Sequence, residues 1–239
     1  MFRFFVDDSN LLDDKIYIES DDFHHAKNVL RLNIGESLEL VGKDFLYLGN
    51  IEDINKDYLR VKVQTKETIE FEPPIIRLFQ GLPKGDKFEY IIQKAVELGV
   101  DEIIPFESER TVVKYKEKSY VKKQVRYEKI IKGAAMQSKR YQIPKLFLPI
   151  KFNDIEKSVD GLGLLAFEES NKPLKKLLKD IDKVNSIDIV IGPEGGFSNQ
   201  EVEYLISKGF DSISLGKRIL RTETASLNLL SILRYELER

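Results

Sequence analysis

Up to residue 72 the apolar positions come in short alternating runs: Arg3-Phe4-Phe5-Val6, Lys15-Ile16-Tyr17-Ile18, Ser37-Leu38-Glu39-Leu40-Val41, Phe45 to Ile51 and Tyr58 to Val63. Alternation broken by Gly35, Gly42-Lys43-Asp44 and Asn55-Lys56-Asp57 predicts strands joined by turns, and strands at this spacing predict a small β-barrel. One stretch has helical spacing instead, through Phe23, Ala26 and Leu30, with Asp21 or Asp22 as its cap. Pro73-Pro74 closes a charged stretch that begins at Glu67, which predicts one domain over 1–72 and a second over 73–239.

From Ile75 the pattern changes. Apolar runs at Ile75–Gln80, Val100–Phe106, Lys145–Pro149, Gly163–Glu168, Ile187–Ile191 and Ser212–Leu215 read as buried strands. Helical periodicity is expected over Phe88–Leu98 (ended by Gly99), Val121–Lys139, Asn199–Lys208 (ended by Gly209) and Ala225–Glu238, and Pro173–Leu178 reads as a helix start. Ser198 and Glu201 are spaced for a capping box. The run from Arg110 to Lys118 reads as a basic loop or strand. Strands alternating with helices predict an α/β domain with a mainly parallel sheet.

Two glycine-bearing loops follow successive strands near the end of the chain: Gly192-Pro193-Glu194-Gly195-Gly196-Phe197 and Gly216-Lys217-Arg218-Ile219-Leu220-Arg221-Thr222-Glu223-Thr224. In an open α/β sheet such loops lie side by side at the carboxyl edge, where ligands bind. Gly195 and Gly196 would let backbone N–H groups approach a ligand closely. The other reading is two ordinary turns. Neither loop has the G-x-G-x-x-G or G-x-x-x-x-G-K-[ST] spacing, so neither a Rossmann dinucleotide site nor a P-loop is indicated.

Composition narrows the classes. The 239 residues are 42% hydrophobic and 33% charged, enough for a sizeable core. There is no cysteine, hence no disulfide and no thiolate metal site, which fits a cytoplasmic protein. The start of the chain lacks the apolar core of a signal peptide, and no run is long enough for a membrane helix. Net charge is only −2, but its distribution is uneven. Residues 110–151 hold thirteen Lys or Arg against two acids, whereas residues 1–72 hold nine basic against sixteen acidic residues. The basic stretch points to a polyanion partner; a solvated helix face is the alternative. His24 and His25 are the only histidines, too few for a metal centre without cysteine, so no metal is expected.

Several stretches carry a family resemblance. Ile191-Gly192-Pro193-Glu194-Gly195-Gly196-Phe197-Ser198 and Leu215-Gly216-Lys217-Arg218-Ile219-Leu220-Arg221-Thr222-Glu223-Thr224-Ala225 resemble the two signature loops of the RsmE family. So do Gln80 to Lys87, Gln93 to Val100 and Ser108 to Lys114. These SPOUT-class enzymes methylate N3 of a uridine in the 16S ribosomal RNA of the small subunit. The resemblance implies a PUA-like, OB-like barrel followed by a SPOUT domain with a trefoil knot, a homodimer, and S-adenosyl-L-methionine as cofactor. Carried over by position, it implies a cofactor pocket of Leu165, Phe167, Glu168, Gly192, Pro193, Glu194, Gly195, Gly196, Leu215, Gly216, Ile219, Leu220 and Thr222.

For catalysis the resemblance leaves the general base unassigned. Arg221 would stabilise a uridine that has lost its imide proton, and Glu194 or Glu223 would take a proton or orient the base. An Arg221–Glu223 ion pair holding the turn is the alternative. RNA contacts are expected from Arg3, His24, Lys27 and Arg31, from Lys84 and Lys87, from Arg110 and Lys114, and from Gln137, Ser138 and Arg140. Tyr115, Tyr120, Tyr127 and Tyr141 would stack bases or serve as packing. Where the family commonly has an acid, this chain has Met136, so no base is placed there. A non-catalytic RNA-binding protein of the same fold and a transfer-RNA methyltransferase are the competing functions.

Overall fold

The computed structural model describes residues 1–70, 74–112 and 117–238. The boundary expected at 72/73 and the expected contacts of Lys114 and Tyr115 lie outside these residues. The chain divides into two compact units, Met1–Phe71 with Ala135–Gln142, and Glu72–Ala134 with Ile143–Arg239.

The first unit is a six-stranded sheet. Its strands are β1 (Phe2–Phe5), β2 (Leu11–Leu12), β3 (Lys15–Glu19), β4 (Ser37–Val41), β5 (Phe45–Ile54) and β6 (Tyr58–Thr68), in the order β1-β4-β5-β6-β3-β2. Only β1 and β4 run parallel. The alternation largely does what it predicts: Leu38, Leu40, Leu59 and Val61 are fully buried and their strand neighbours less so, except that Val41 is buried in a second small cluster with Leu46 and Ile69. Register shifts between β5 and β6 at Leu48/Gly49 and Ile51/Asp53 bend the sheet. Gly49 is required there, because a Cβ would lie 2.5 Å from the Lys62 carbonyl oxygen. The expected helix is α1 (Ser20–His24), which widens into a π-type turn over His25–Val29 and buries Phe23 and Ala26. Met136 packs half-buried against the same core as Phe4, Leu38 and Leu40.

The second unit is a parallel sheet. Its strands are β7 (Ile75–Gly81), β8 (Glu102–Glu107), β9 (Lys145–Leu146), β10 (Ile150–Lys151), β11 (Leu162–Ala166), β12 (Ser186–Ile191) and β13 (Asp211–Ile213). They order as β10-β8-β7-β12-β11-β13, with β9 also on β8. The helices are α2 (Lys87–Glu97), α3 (Glu117–Gln137), α4 (Asn199–Ser207) and α5 (Thr222–Leu237). Strand order changes direction between β7 and β12, and such a switch point opens a crevice at the carboxyl ends of the strands.

Three expectations shift. α5 starts at Thr222 rather than Ala225, because Arg221 is already extended (ψ 155°) and supplies the cap position. The helix expected from Pro173 is two 3₁₀ turns, Leu174–Lys176 and Leu178–Lys183. Tyr120 and Tyr127 are packing, not stacking platforms: each is 6% exposed, and Tyr127 meets Phe88 at 5.1 Å between ring centres.

Candidate active site

Strands β11, β12 and β13 end side by side, and the segments that follow them wall one cavity of about 410 Å³. Gly192, Pro193, Glu194, Gly195 and Gly196 form one side. Leu215, Gly216, Ile219 and Leu220 form another, with Phe167 and Glu168 between them and Thr222 at the start of α5. Leu165 is the exception among the expected pocket residues. It is fully buried in the core below, in the same cluster as Phe106 and Phe197, and does not line the cavity. Ile219 stands at the lip, 84% exposed.

The glycines are needed for the shape. Gly196 (φ 65°) and Gly216 (φ 116°) occupy the left-handed region. At Gly195 a Cβ would approach Arg110 Cβ to 2.8 Å. Phe197 turns inward and stacks on Phe106 at 6.3 Å, which anchors the loop. Ser198 then caps α4 through the expected capping box: Glu201 Oε2 accepts from the Ser198 N–H at 2.9 Å, and its Oε1 accepts from the Glu109 N–H at 2.8 Å. The cavity therefore rests on a loop fixed at both ends.

Charge is arranged at one end. Lys87 Nζ lies 3.0 Å from Glu194 Oε1 and 3.4 Å from Glu223 Oε2. The second contact is an ion-pair distance without hydrogen-bond geometry, so Glu223 Oε2 is buried with no hydrogen bond. The hydrogen bond to Glu194 raises the Lys87 pKa. Burial pushes Glu194 up, but its own N–H, Lys87 and the Lys84 N–H together hold it below the usual carboxylate range. Lys87, expected to face RNA, is thus spent on Glu194 in the cavity wall and on Glu223 beside it. The Arg221–Glu223 pair does not form. Arg221 is exposed and lines the cavity, and its guanidinium has no hydrogen-bond or ion-pair partner among the described residues; the Arg218 guanidinium beside it is the same.

The other expected RNA residues are dispersed. Arg3 is 6% exposed: it pairs with Glu39 at 2.7 Å, donates to the carbonyls of Lys139 and Arg140, and stacks over Tyr141 at 4.8 Å. It is a structural residue of the first unit and not a surface contact. His24, Lys27 and Arg31 are exposed near one another in sequence, with Lys27 donating to the Asn55 carbonyl at 3.3 Å. Lys84, Arg110 and Gln137 are exposed, while Ser138 and Arg140 are half-buried. Among the described residues no group of His, Cys, Asp or Glu side chains could hold a metal ion, and no helix is long and apolar enough to cross a membrane. Ser226, at the base of the site, carried no motif signal. Gln80 opened the family-like stretch Gln80 to Lys87 and ended the apolar run Ile75–Phe79, but nothing marked its buried partners.

Residues 71–234 match the RNA methyltransferase domain and residues 18–64 the RNA methyltransferase PUA domain. The molecule is therefore an RNA methyltransferase in class. It is 37% identical over 230 residues to the ribosomal RNA small subunit methyltransferase E of Bacillus subtilis, covering 92% of this chain and 90% of that one. A methyltransferase from Legionella pneumophila, solved with bound SAM, superposes with a TM-score of 0.86 at 31% identity over 98% of this chain and 97% of its own. The ribosomal RNA small subunit methyltransferase E of Neisseria gonorrhoeae, bound to S-adenosyl methionine, gives 0.85 at 28% identity over 98% and 97%. The chain belongs to the ribosomal RNA small subunit methyltransferase E family, RsmE.

Proposed function

We propose that this protein methylates N3 of a uridine in small-subunit ribosomal RNA, with S-adenosyl-L-methionine as the methyl donor. The observation that carries the reading is the glycine-walled cavity with an unpaired Arg221 at its edge. A cavity of about 410 Å³ is in the range that takes a cofactor of this size. Its residues suit the molecule: Leu220 and Phe167 offer apolar wall, backbone groups of the glycine loops are open to approach, and Glu168 offers a carboxylate to cationic or hydroxyl groups. When bound, the cofactor supplies a methyl group on a positively charged sulfur.

Uracil N3 carries an imide proton and becomes nucleophilic only as that proton leaves. The negative charge then spreads over the ring oxygens, and a guanidinium at the cavity edge stabilises it. Arg221 has that position and no competing anion. Of the two carboxylates, Glu194 is engaged by Lys87 and the Lys84 N–H, whereas Glu223 Oε2 accepts no hydrogen bond and is buried 3.4 Å from Lys87 Nζ. The uridine has to leave its stack to reach the methyl group. The remaining parts of the reading are a homodimer, a trefoil-knotted second unit, action on the small ribosomal subunit, and a cytoplasmic location.

The test is incubation with methyl-labelled cofactor and either small subunits or bare small-subunit RNA, followed by digestion to nucleosides. Label in 3-methyluridine supports the reading. Label in another nucleoside, or none, sinks it. A sedimentation mass equal to a single 27.7 kDa chain at micromolar concentration would remove the homodimer.

A further inference from the structure

Gln80, the next-to-last residue of β7, is fully buried, and so is Ser226 on the first turns of α5. A buried amide is costly unless all its polar atoms are used. Here they are. Nε2 donates to Thr222 Oγ1 at 2.9 Å and to the Gly81 carbonyl at 3.0 Å, and Oε1 accepts from Ser226 Oγ at 2.6 Å. Thr222 Oγ1 in turn donates to the Gly192 carbonyl at 2.6 Å. The chain of bonds links the end of β7, the start of α5 and the first residue of the Gly192 loop. Gly192 and Thr222 both belong to the cavity wall.

The direction of these bonds is set by chemistry. Turning the amide over would place Oε1 against the Gly81 carbonyl, two acceptors face to face. With Nε2 aimed at Thr222, the Thr222 oxygen is an acceptor on that side, so its single proton goes to Gly192. Contact is tight as well: a Cβ on Gly81 would sit 2.5 Å from the Pro193 nitrogen. An apolar side chain of the same length could fill the space of Gln80 but could not orient the Thr222 hydroxyl.

We propose that Gln80, backed by Ser226, is a positioning residue for cofactor binding: through Thr222 it holds the Gly192 carbonyl and so fixes one glycine loop against the start of α5. This rests on the reading that the cavity takes S-adenosyl-L-methionine. Gln80 touches neither cofactor nor RNA in this role.

The test is calorimetric titration of S-adenosyl-L-methionine into the full chain, with the melting midpoint and the turnover at saturating cofactor measured alongside. Gln80→Met should bind roughly tenfold more weakly, the order expected when buried partners lose their hydrogen bonds. Turnover at saturating cofactor should stay within about threefold, since no group on the reacting atoms changes. Gln80→Glu gives a signature that packing alone cannot. A protonated carboxyl can donate to Thr222 and accept from Ser226, so binding should recover on acidification to about pH 5.5 and be lost toward about pH 8.5, a trend absent from the wild type. Binding by Gln80→Met within twofold of wild type, or no pH trend in Gln80→Glu, overturns the inference. Should Gln80→Met not fold, Ser226→Ala decides: weaker binding supports it and unchanged binding overturns it. A wild type that binds no cofactor fails at the earlier step and refutes the cofactor reading instead.

Discussion

Lys87 Nζ sits 3.0 Å from Glu194 Oε1, across 107 positions of sequence, and joins the start of α2 to the Gly192 loop. The same ammonium offsets Glu223 at 3.4 Å. Without it, two carboxylates would face a cavity edge where the uridine has to become negative. Lys87→Met is expected to lower kcat/KM for RNA roughly ten- to hundred-fold, the usual scale for a lost electrostatic group. The pH profile checks the sign. Glu194 is held below its ordinary 4.5, so its contribution is present above that pH and fades as pH falls through its lowered value. Lys87 is raised above its ordinary 10.5, so its contribution is present below that and fades as pH climbs past it. Between the two the pair does not titrate. An inflection near neutrality that disappears in Lys87→Met would contradict this.

Arg221 makes a separate prediction because it is not consumed by the fold. Arg221→Met should reduce turnover by about a hundredfold, in line with removal of a single charge-stabilising donor. Its melting midpoint should stay within about 1 °C, since an exposed side chain without partners contributes little stability. Steady-state methylation at saturating cofactor and RNA measures the first, and calorimetry the second. A large fall in midpoint with unchanged turnover would make Arg221 structural.

How far the sequence reaches is visible in these residues. The two glycine loops were legible because glycine, β-branched runs and a capping box are local signals, and the fold sets them side by side. Leu165 shows the limit of strand alternation: a residue near the end of a strand before a ligand loop faces either pocket or core, and Leu165 is buried in the core and does not line the cavity. Partner choice was not legible. Lys87 and Glu223 lie far apart in sequence, and only the meeting of α2 with α5 shows that Lys87, not Arg221, neutralises Glu223. Arg3 and Gln80 illustrate the same limit. A charged or amide residue within a strand shows its role only once its buried partners are known.

Arg3 should therefore behave as a stability residue. Its guanidinium satisfies Glu39 and two carbonyls within the first unit, and its side chain is 4% exposed against 18% for Glu39. Arg3→Leu leaves those acceptors buried and should cost about 2–4 kcal/mol in denaturant unfolding. RNA affinity, measured well below the melting midpoint, should change by less than about threefold. A loss of affinity without a loss of stability would restore Arg3 to the RNA surface.

Met136 packs half-buried on the core of the first unit. Met136→Ala should cost about 1–2 kcal/mol, less than a fully buried methionine because the site is only half-buried. Methylation rate per folded molecule should not change, as Met136 does not line the cavity. A rate that falls while the unfolding curve stays put would place Met136 in the chemistry after all.

Tyr47 supplies an alkaline signature of the first unit. Its ring is 1% exposed and its hydroxyl donates to Asp8 Oδ1 at 3.0 Å. Burial, then the Asp8 hydrogen bond and charge, push the phenol from 10.0 up to about 12. A raised pKa means that the folded state holds the proton more tightly than the unfolded one. Tyr47 thus contributes in full below pH 10 and loses that contribution as pH rises toward 12, when a phenolate would face the Asp8 carboxylate. Tyr47→Phe should lower stability by about 1 kcal/mol at neutral pH, the worth of one hydrogen bond. The wild-type advantage should then shrink steadily across that alkaline window. Other tyrosines and lysines titrate there too, but equally in both proteins, so the difference between the two unfolding curves isolates Tyr47. Curves that remain parallel from neutral pH through the window would mean that the Tyr47 proton is not shared with Asp8.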